Sequence, residues 1–307
     1  VVTKANHERD EIMIGTEDKR NDINIQIFNS SKQWGNLLEA STTIPNSAYR
    51  AFDIAIEDLS GDALIVYENG TGADNVIYYR TWNGTAYSSE QSFTTGTANS
   101  AANWIALYSH LGTDEIMLLV HDSEAAGSGD LYAVPWNGTD FETSKGVLAT
   151  STSSTSTAPH FYFAWEGLSG EGLLIYGNST NIDRRIYTSG SWTAPVTITT
   201  LENTLKGTRM CSDLTSDYIG IIWQDSGSDV NVRMWGGSSI LASPPTEDTT
   251  TEAQGTNNPN VDCAWFNSST ALFGFVDNDL LFMDYFTFSK ANTWSVSTLT
   301  SALNTVT

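Results

Sequence analysis

The chain has 307 residues, a formal net charge of −22, a pI near 4.2 and ten Trp. Fourteen Lys plus Arg against 36 Asp plus Glu exclude an electropositive groove for nucleic acid and a general attraction to anionic lipid, because both need clustered cations. With 40% hydrophobic and 11% aromatic residues the chain can bury a core, which excludes a disordered acidic polymer.

No apolar run approaches the ~20 residues that span a bilayer; the densest, 280–288 (LLFMDYFTF), is interrupted by Asp284, so membrane insertion is not expected. Neither a starting Met nor a basic-then-apolar leader stands at Val1, which reads as a mature chain or an excised piece of a longer one.

Taken in chain order, three markers recur with a period of about fifty residues: a turn, an apolar run after it, and an Asp-opened strand ending in an aromatic turn. The first copy is degenerate, with 12–14 after Arg9-Asp10-Glu11, then Asp22 (NDINIQIF) and Phe28-Asn29-Ser30-Ser31. The second has Asp58-Leu59-Ser60-Gly61-Asp62, ALIVY at 63–67, Asp74 and Trp82-Asn83-Gly84-Thr85. The third repeats it with His110-Leu111-Gly112-Thr113-Asp114, IMLLV at 116–120, Asp130 and Trp136-Asn137-Gly138-Thr139. The fourth runs Gly167-Leu168-Ser169-Gly170-Glu171, LLIY at 173–176, Asp183 and Ser189-Gly190-Ser191-Trp192. The fifth runs Asp213-Leu214-Thr215-Ser216-Asp217, YIGIIW at 218–223, Asp229 and Trp235-Gly236-Gly237. A degenerate sixth has Ser268-Ser269-Thr270, 271–276 and Asp279. Asn-Gly suits a hairpin in which both central residues take positive φ, and the flanking indole can cover a neighbouring sheet.

No stretch shows the 3.6-residue apolar period of a helix. Short strands and turns at this period predict an all-β fold, a six-bladed β-propeller with four antiparallel strands per blade. One domain, 1–307, is expected, with blades at about 1–49, 50–101, 102–159, 160–207, 208–260 and 261–307. The inner strands would be 1–6, 51–57, 103–109, 161–166, 209–212 and 261–266. The tail 301–307 would close the ring or lead onward. Cys211 and Cys263 permit at most one bridge; they lie on neighbouring inner strands two residues out of register, so free buried thiols are expected.

The run 61–93 (GDALIVYENGTGADNVIYYRTWNGTAYSSEQSF), with its partner 114–147, resembles blades of bacterial and fungal fucose-binding propeller lectins and related cell-surface propellers. In those proteins a strand ending in Trp, Asn or Asp, and Gly is followed by an aromatic and a serine. The resemblance implies a propeller and a carbohydrate ligand. The family's sugar sites take an Arg, a Glu and a Trp in a set order between blades, and no such trio recurs in this chain. Six-bladed sialidases would need Ser-x-Asp-x-Gly-x-x-Trp boxes, and none is present.

Loops alternate ends in a four-stranded blade, so the loops entering the inner strands and the turns before the third strands share one end. This places Arg50, Asp53, Trp104, His160, Tyr162, Arg209 and Asp262 near the mouth of the channel as candidate ligand-binding residues. Such cations, carboxylates and an indole suit hydrogen bonding and stacking on a sugar ring. Two low-complexity loops, 149–159 and 243–260, are expected at the same end. The repeated aspartates read as side-chain caps on hairpins, with Ca2+ the alternative; Asp122, Glu124 and Asp130 lack EF-hand spacing. No other cofactor is implied: His7, His110, His121 and His160 lack metal-ligand spacing. No Gly-x-Ser-x-Gly elbow or Ser/His/Asp motif marks a catalytic residue.

Sequons at Asn29, Asn69, Asn83, Asn137, Asn178 and Asn267 would permit glycosylation in a secreted glycoprotein. The expected function is an extracellular or cell-surface binding or adhesion module, carbohydrate-binding and non-catalytic, with a glycan or an extracellular protein as partner. The alternatives are a structural subunit of an extracellular assembly, or a glycan-active hydrolase or lyase using Asp53, Glu57, Glu166 and Asp262.

Overall fold

The structure, a computed structural model, describes residues 1–44, 49–70, 75–95, 101–122, 129–142, 146–152, 158–241, 260–276 and 283–298. Asp74, Glu124, Asp279, most of the loop 243–260 and the tail 301–307 lie outside them. The described residues contain strands and turns and no α-helix.

The chain gathers into two compact units, Val1–Thr152 and Ser153–Thr307. The first holds three four-stranded antiparallel meanders. Blade 1 is β1 (Val2–Asn6), β2 (Glu11–Glu17), β3 (Ile23–Phe28) and β4 (Trp34–Ser41). Blade 2 is β5 (Phe52–Ile56), β6 (Ala63–Tyr67), β7 (Val76–Trp82) and β8 (Gln91–Thr94). Blade 3 is β9 (Ala102–Ser109), β10 (Ile116–Asp122), β11 (Gly129–Trp136) and β12 (Val147–Thr152). The second unit holds blade 4, with β13 (Phe161–Trp165), β14 (Gly172–Asn178), β15 (Asn181–Thr188) and an outer edge split into β16 (Ser191–Trp192) and β17 (Val196–Thr200). In blade 5, β18 (Leu205–Ser212), β19 (Tyr218–Asp225) and β20 (Val230–Gly236) are described. Blade 6 is β21 (Val261–Asn267), β22 (Thr270–Val276), β23 (Met283–Ser289) and β24 (Thr293–Thr298).

Burial explains the composition of each strand. The unbroken apolar runs β6 and β10 are buried on both faces, as the middle strands of a stacked sheet must be. Outer strands alternate or are exposed, as in β4 and β8. The cores lie between successive blades: Met13, Ile25 and Ile27 pack with Phe52, Ile65 and Trp82, and Leu64, Val66 and Ile77 pack with Leu118, Val134 and Trp136. In the second unit Leu173 and Ile175 meet Ile219 and Trp235, while Ile222 and Met234 meet Phe273 and Phe288. Gly220 serves this packing, because a Cβ there would stand 2.8 Å from both Cys211 Sγ and the Phe273 ring.

Three of the turn tryptophans reach across to the preceding blade. The indole N–H of Trp136 donates to Glu57 Oε1 at 2.6 Å, that of Trp235 to Glu166 Oε1 at 2.6 Å, and that of Trp82 to Glu11 Oε2 at 3.1 Å. A second lattice holds the leucine turns: Asp114 Oδ1 accepts the amides of Leu59 and Ser60 at 3.0 and 2.9 Å, and Asp217 Oδ1 those of Leu168 and Ser169 at 2.9 and 2.8 Å. Between blades 5 and 6 a cation does this work, with Lys290 paired to Asp213 and lying over the Tyr218 and Trp265 rings.

Three expectations are corrected. Asn83 and Asn137 keep negative φ, and only Gly84 and Gly138 are positive. Each Asn instead accepts the amides two and three residues on, an Asx turn that makes the mirror-image turn unnecessary. The two-residue turn with both φ positive is at Ser189-Gly190. The hairpin caps come from the other side of the turn: Asp18, Asp122 and Asp225 accept the amides of Asp22, Asp130 and Asp229. Finally, Cys211 and Cys263 form a disulfide, with Cα atoms 5.8 Å apart. Counting register along each strand missed it, because β18 and β21 are neighbouring first strands whose backbones converge.

The bridge closes a 52-residue separation, for which the chain-entropy account gives about 4 kcal/mol. Reduction, or the Cys211→Ala/Cys263→Ala pair, is therefore expected to lower the thermal midpoint by several degrees in calorimetry. An unchanged midpoint would show that the bridge does not form.

Burial pushes the carboxyls of Glu57 and Glu166 up, more than their indole and hydroxyl donors pull them down. These groups hold protons more tightly folded than unfolded, so their contribution is complete below the ordinary carboxylate value of 4.5 and is lost as pH rises through the raised values. In urea unfolding across that window, Glu57→Gln should lose part of the decline in stability with rising pH. An identical slope would contradict the shift.

Candidate functional site

Four of the seven sequence-predicted residues occupy one register position. Asp53 faces Val66, Tyr162 faces Ile175, Arg209 faces Ile222 and Asp262 faces Gly274, each at the same rung of the first strand of its blade. Trp104 and His160 stand two residues before that rung in blades 3 and 4.

In the first unit three of them meet. The Arg50 guanidinium lies over the Trp104 ring at 5.6 Å, and Arg50 Nη2 is 3.6 Å from Asp53 Oδ2. Tyr49 meets the same indole edge-on at 6.4 Å. Asp53 is buried, however, and accepts the amides of Leu107 and Ile54, both at 2.9 Å. Trp104 is only 6% exposed. The accessible member is Arg50, whose side chain is 34% exposed while its Nε is buried without a partner.

In the second unit the Arg209 guanidinium lies 5.9 Å from the Tyr162 ring and donates to Thr208 O at 2.9 Å. His160 is buried, and its carbonyl accepts the amide of Gly177 at 2.8 Å. Asp262 is exposed and accepts the amide of Cys263 at 2.9 Å; among the described residues no ion pair joins it to Arg209.

A second arrangement was not anticipated. On blade 2 the buried Tyr67 hydroxyl donates to Glu90 Oε2 at 2.7 Å and accepts from Arg80 Nε at 3.3 Å. Arg80 also donates to Ser88 O at 2.7 Å and lies 3.8 Å from Glu90 Oε2. Both charged side chains are partly exposed, 24% and 33%, and the Tyr78 ring stacks on Tyr67. Burial and the neighbouring carboxylate push the Tyr67 phenol upward, so it stays a neutral donor. The result is a rigid, half-exposed set of donors, acceptors and an aromatic face.

The arginine recurs. Arg80 faces Ile65, Arg185 faces Leu174 and Arg233 faces Ile221, one rung in three blades. Arg185 donates to Thr193 O at 3.1 Å, and Arg233 lies 5.4 Å from the Trp223 ring. The sequence signal was Arg two residues before the turn aromatic, in Arg80-Thr81-Trp82, Arg185-Ile186-Tyr187 and Arg233-Met234-Trp235. Only blade 2 combines it with a carboxylate ion pair among the described residues.

Among the described residues no group of three or more His, Cys, Asp or Glu is arranged to hold a metal ion. Asp122 is spent on the Asp130 amide and faces the Tyr132 hydroxyl at 3.4 Å. Burial lowers His121 to about 4 and leaves it neutral, with its ring nitrogen donating to Thr152 O.

Six antiparallel blade sheets in chain order define the class, an all-β six-bladed β-propeller. The BP39L lectin from Burkholderia pseudomallei has this fold, with a TM-score of 0.68 at 11% identity, covering 98% of this chain and 84% of that one. The Aleuria aurantia lectin, described as a six-bladed β-propeller with a novel fucose recognition mode, gives 0.47 at 13% identity, covering 96% and 93%. The β-propeller domain of the Trilobed protease from Pyrococcus furiosus gives 0.49 at 9%, covering 98% and 95%. No family model and no curated protein matches the sequence.

Proposed function

We propose that the protein is an extracellular or cell-surface carbohydrate-binding module, non-catalytic, with a glycan as its ligand. The observation that carries the reading is the Arg80–Glu90 pair beside the Tyr67 hydroxyl, half-exposed and held in one geometry. Sugar hydroxyls both donate and accept, so an anchored guanidinium and carboxylate side by side match a vicinal diol, and the nearby tyrosine ring offers an apolar face. Arg50 and Arg209, each against an aromatic ring, offer a further contact region at the first strands.

The lectin that shares this fold supports a carbohydrate ligand by analogy of scaffold. The disulfide supports an oxidising compartment outside the cytosol. The proposed contacts come from Arg80, Glu90 and a tyrosine ring and call for no calcium.

Glycan-array screening followed by calorimetry tests the reading. Arg80→Ala and Glu90→Gln should each weaken binding by about tenfold or more, ~1.4 kcal/mol, with the thermal midpoint within a few degrees of wild type, and EDTA should change nothing. Binding that survives both changes but disappears with Arg50→Ala or Arg209→Ala would move the site to the first strands. No binding to any glycan would sink the proposal.

A further inference from the structure

The leucine that marks four of the six repeats is not used by the fold. Leu59, Leu111, Leu168 and Leu214 sit at the same turn of four blades and are 65%, 53%, 70% and 59% exposed. Their turns are held by other groups. The amides of Leu59 and Leu168 bond to Asp114 and Asp217, a bond any residue's amide could make. The chain reversal falls on Gly61, Gly112 and Gly170, all at positive φ. A leucine recurs in all four loops, as the second of the four loop residues at Leu59 and Leu168 and as the first at Leu111 and Leu214.

Within each unit two such turns are interlocked, so the leucines are presented as a rigid pair. In the first unit Asp58 Oδ2 accepts the Gly112 amide at 2.7 Å and the Asp58 amide bonds to Thr113 O at 3.0 Å, which fixes Leu59 beside the Leu111 turn. In the second unit the Gly167 amide bonds to Ser216 O at 3.1 Å, and a Cβ on Gly167 would lie 2.9 Å from the Leu214 carbonyl carbon. Phe266, 80% exposed, is the penultimate residue of β21 on the next blade.

The rims are acidic. Asp58 and Asp114 flank the first pair and Glu171 and Asp217 the second; three further acids beside them are already paired, Asp62 with Arg9, Glu115 with His110 and the buried Asp213 with Lys290. The cations bound among these turns, Arg9 and Lys290, are already paired with Asp62 and Asp213.

We infer that these leucine pairs are a docking surface for a protein segment that is both apolar and cationic. Exposed apolar groups on a rigid support are what a partner's apolar side chains bury against, and an acidic rim selects Lys or Arg beside them. A second copy of this chain fits poorly, since it would bring the same carboxylates and another net charge of −22 to the contact. Anionic lipid is repelled by the same rim. The inference is independent of the glycan reading, because it uses different residues on different turns.

The test uses the whole chain with two labelled peptides of equal length and charge, one alternating Leu and Lys, the other Ser and Lys, in fluorescence anisotropy at physiological ionic strength. The Leu/Lys peptide should bind about tenfold or more tightly than the Ser/Lys peptide. That preference should vanish in the Leu59→Ser/Leu111→Ser/Leu168→Ser/Leu214→Ser variant, whose thermal midpoint should match wild type. A milder Leu→Gln set serves as the folding check. Equal binding of the two peptides, or a preference that survives either set, would overturn the inference. So would sedimentation showing self-association of the wild type that these substitutions abolish.

Discussion

An indole N–H donating to a buried carboxylate of the preceding blade is the interaction on which the rest of the structure depends. It recurs at Trp82–Glu11, Trp136–Glu57 and Trp235–Glu166. A blade presents a flat apolar face to its neighbour, and burial of that face is non-directional; it would tolerate sliding. A single charge-assisted hydrogen bond inside an apolar seam sets one register, because a shift would leave a carboxylate and an indole unpaired out of water. Two of these carboxylates are also tied to their own turns: Ser60 donates to Glu57 at 2.6 Å, and Ser169 to Glu166. The indole thereby positions the turn as well as the sheet.

Everything nearby follows from that anchor. Once the turn is held, Asp114 and Asp217 can reach the amides of the preceding blade's turn, and the Leu59 and Leu168 side chains are left facing solvent. Where the partner residues change, another device appears: Asn6 donates to Gly61 O at 2.8 Å and Arg9 spans Gly61 O and Asn83 O, while Lys290 and the disulfide join blades 5 and 6. Glycine at 84 takes a positive φ of 87°, and a Cβ there would also press on the Arg9 guanidinium. At the outer side of blade 2, the Tyr67–Arg80–Glu90 set inherits its rigidity from the same strand pair that carries Trp82.

Much of this architecture was legible because it repeats. The turn leucines, the apolar runs after them and the aromatic turn residues each correspond to a fixed place in a sheet, so the first strands could be read off in all six blades. Pairings across blades were less legible. Nothing in the sequence ties Glu57 to Trp136, 79 positions apart, or brings Cys211 beside Cys263. The hairpin caps were read from the wrong end, because aspartates stand on both sides of turns such as Asp225–Asp229 and only geometry tells donor from acceptor. The candidate site was half-visible for a related reason. Asp53, Tyr162, Arg209 and Asp262 were placed together at one end of the blades, but their common rung comes from the strand register, and the burial of Asp53 and Trp104 depends on the next blade. The Arg80–Glu90 pair escaped notice because its acid sits on a connecting segment outside the repeat pattern.

The central claim is best tested by a double-mutant cycle on Glu57→Gln and Trp136→Phe, read by chemical denaturation at neutral pH. The two residues share a 2.6 Å hydrogen bond in a dry seam, so they should couple by about 1 to 3 kcal/mol, with each single change costing nearly as much as the pair. Additive single-mutant effects, with a coupling near zero, would contradict the account.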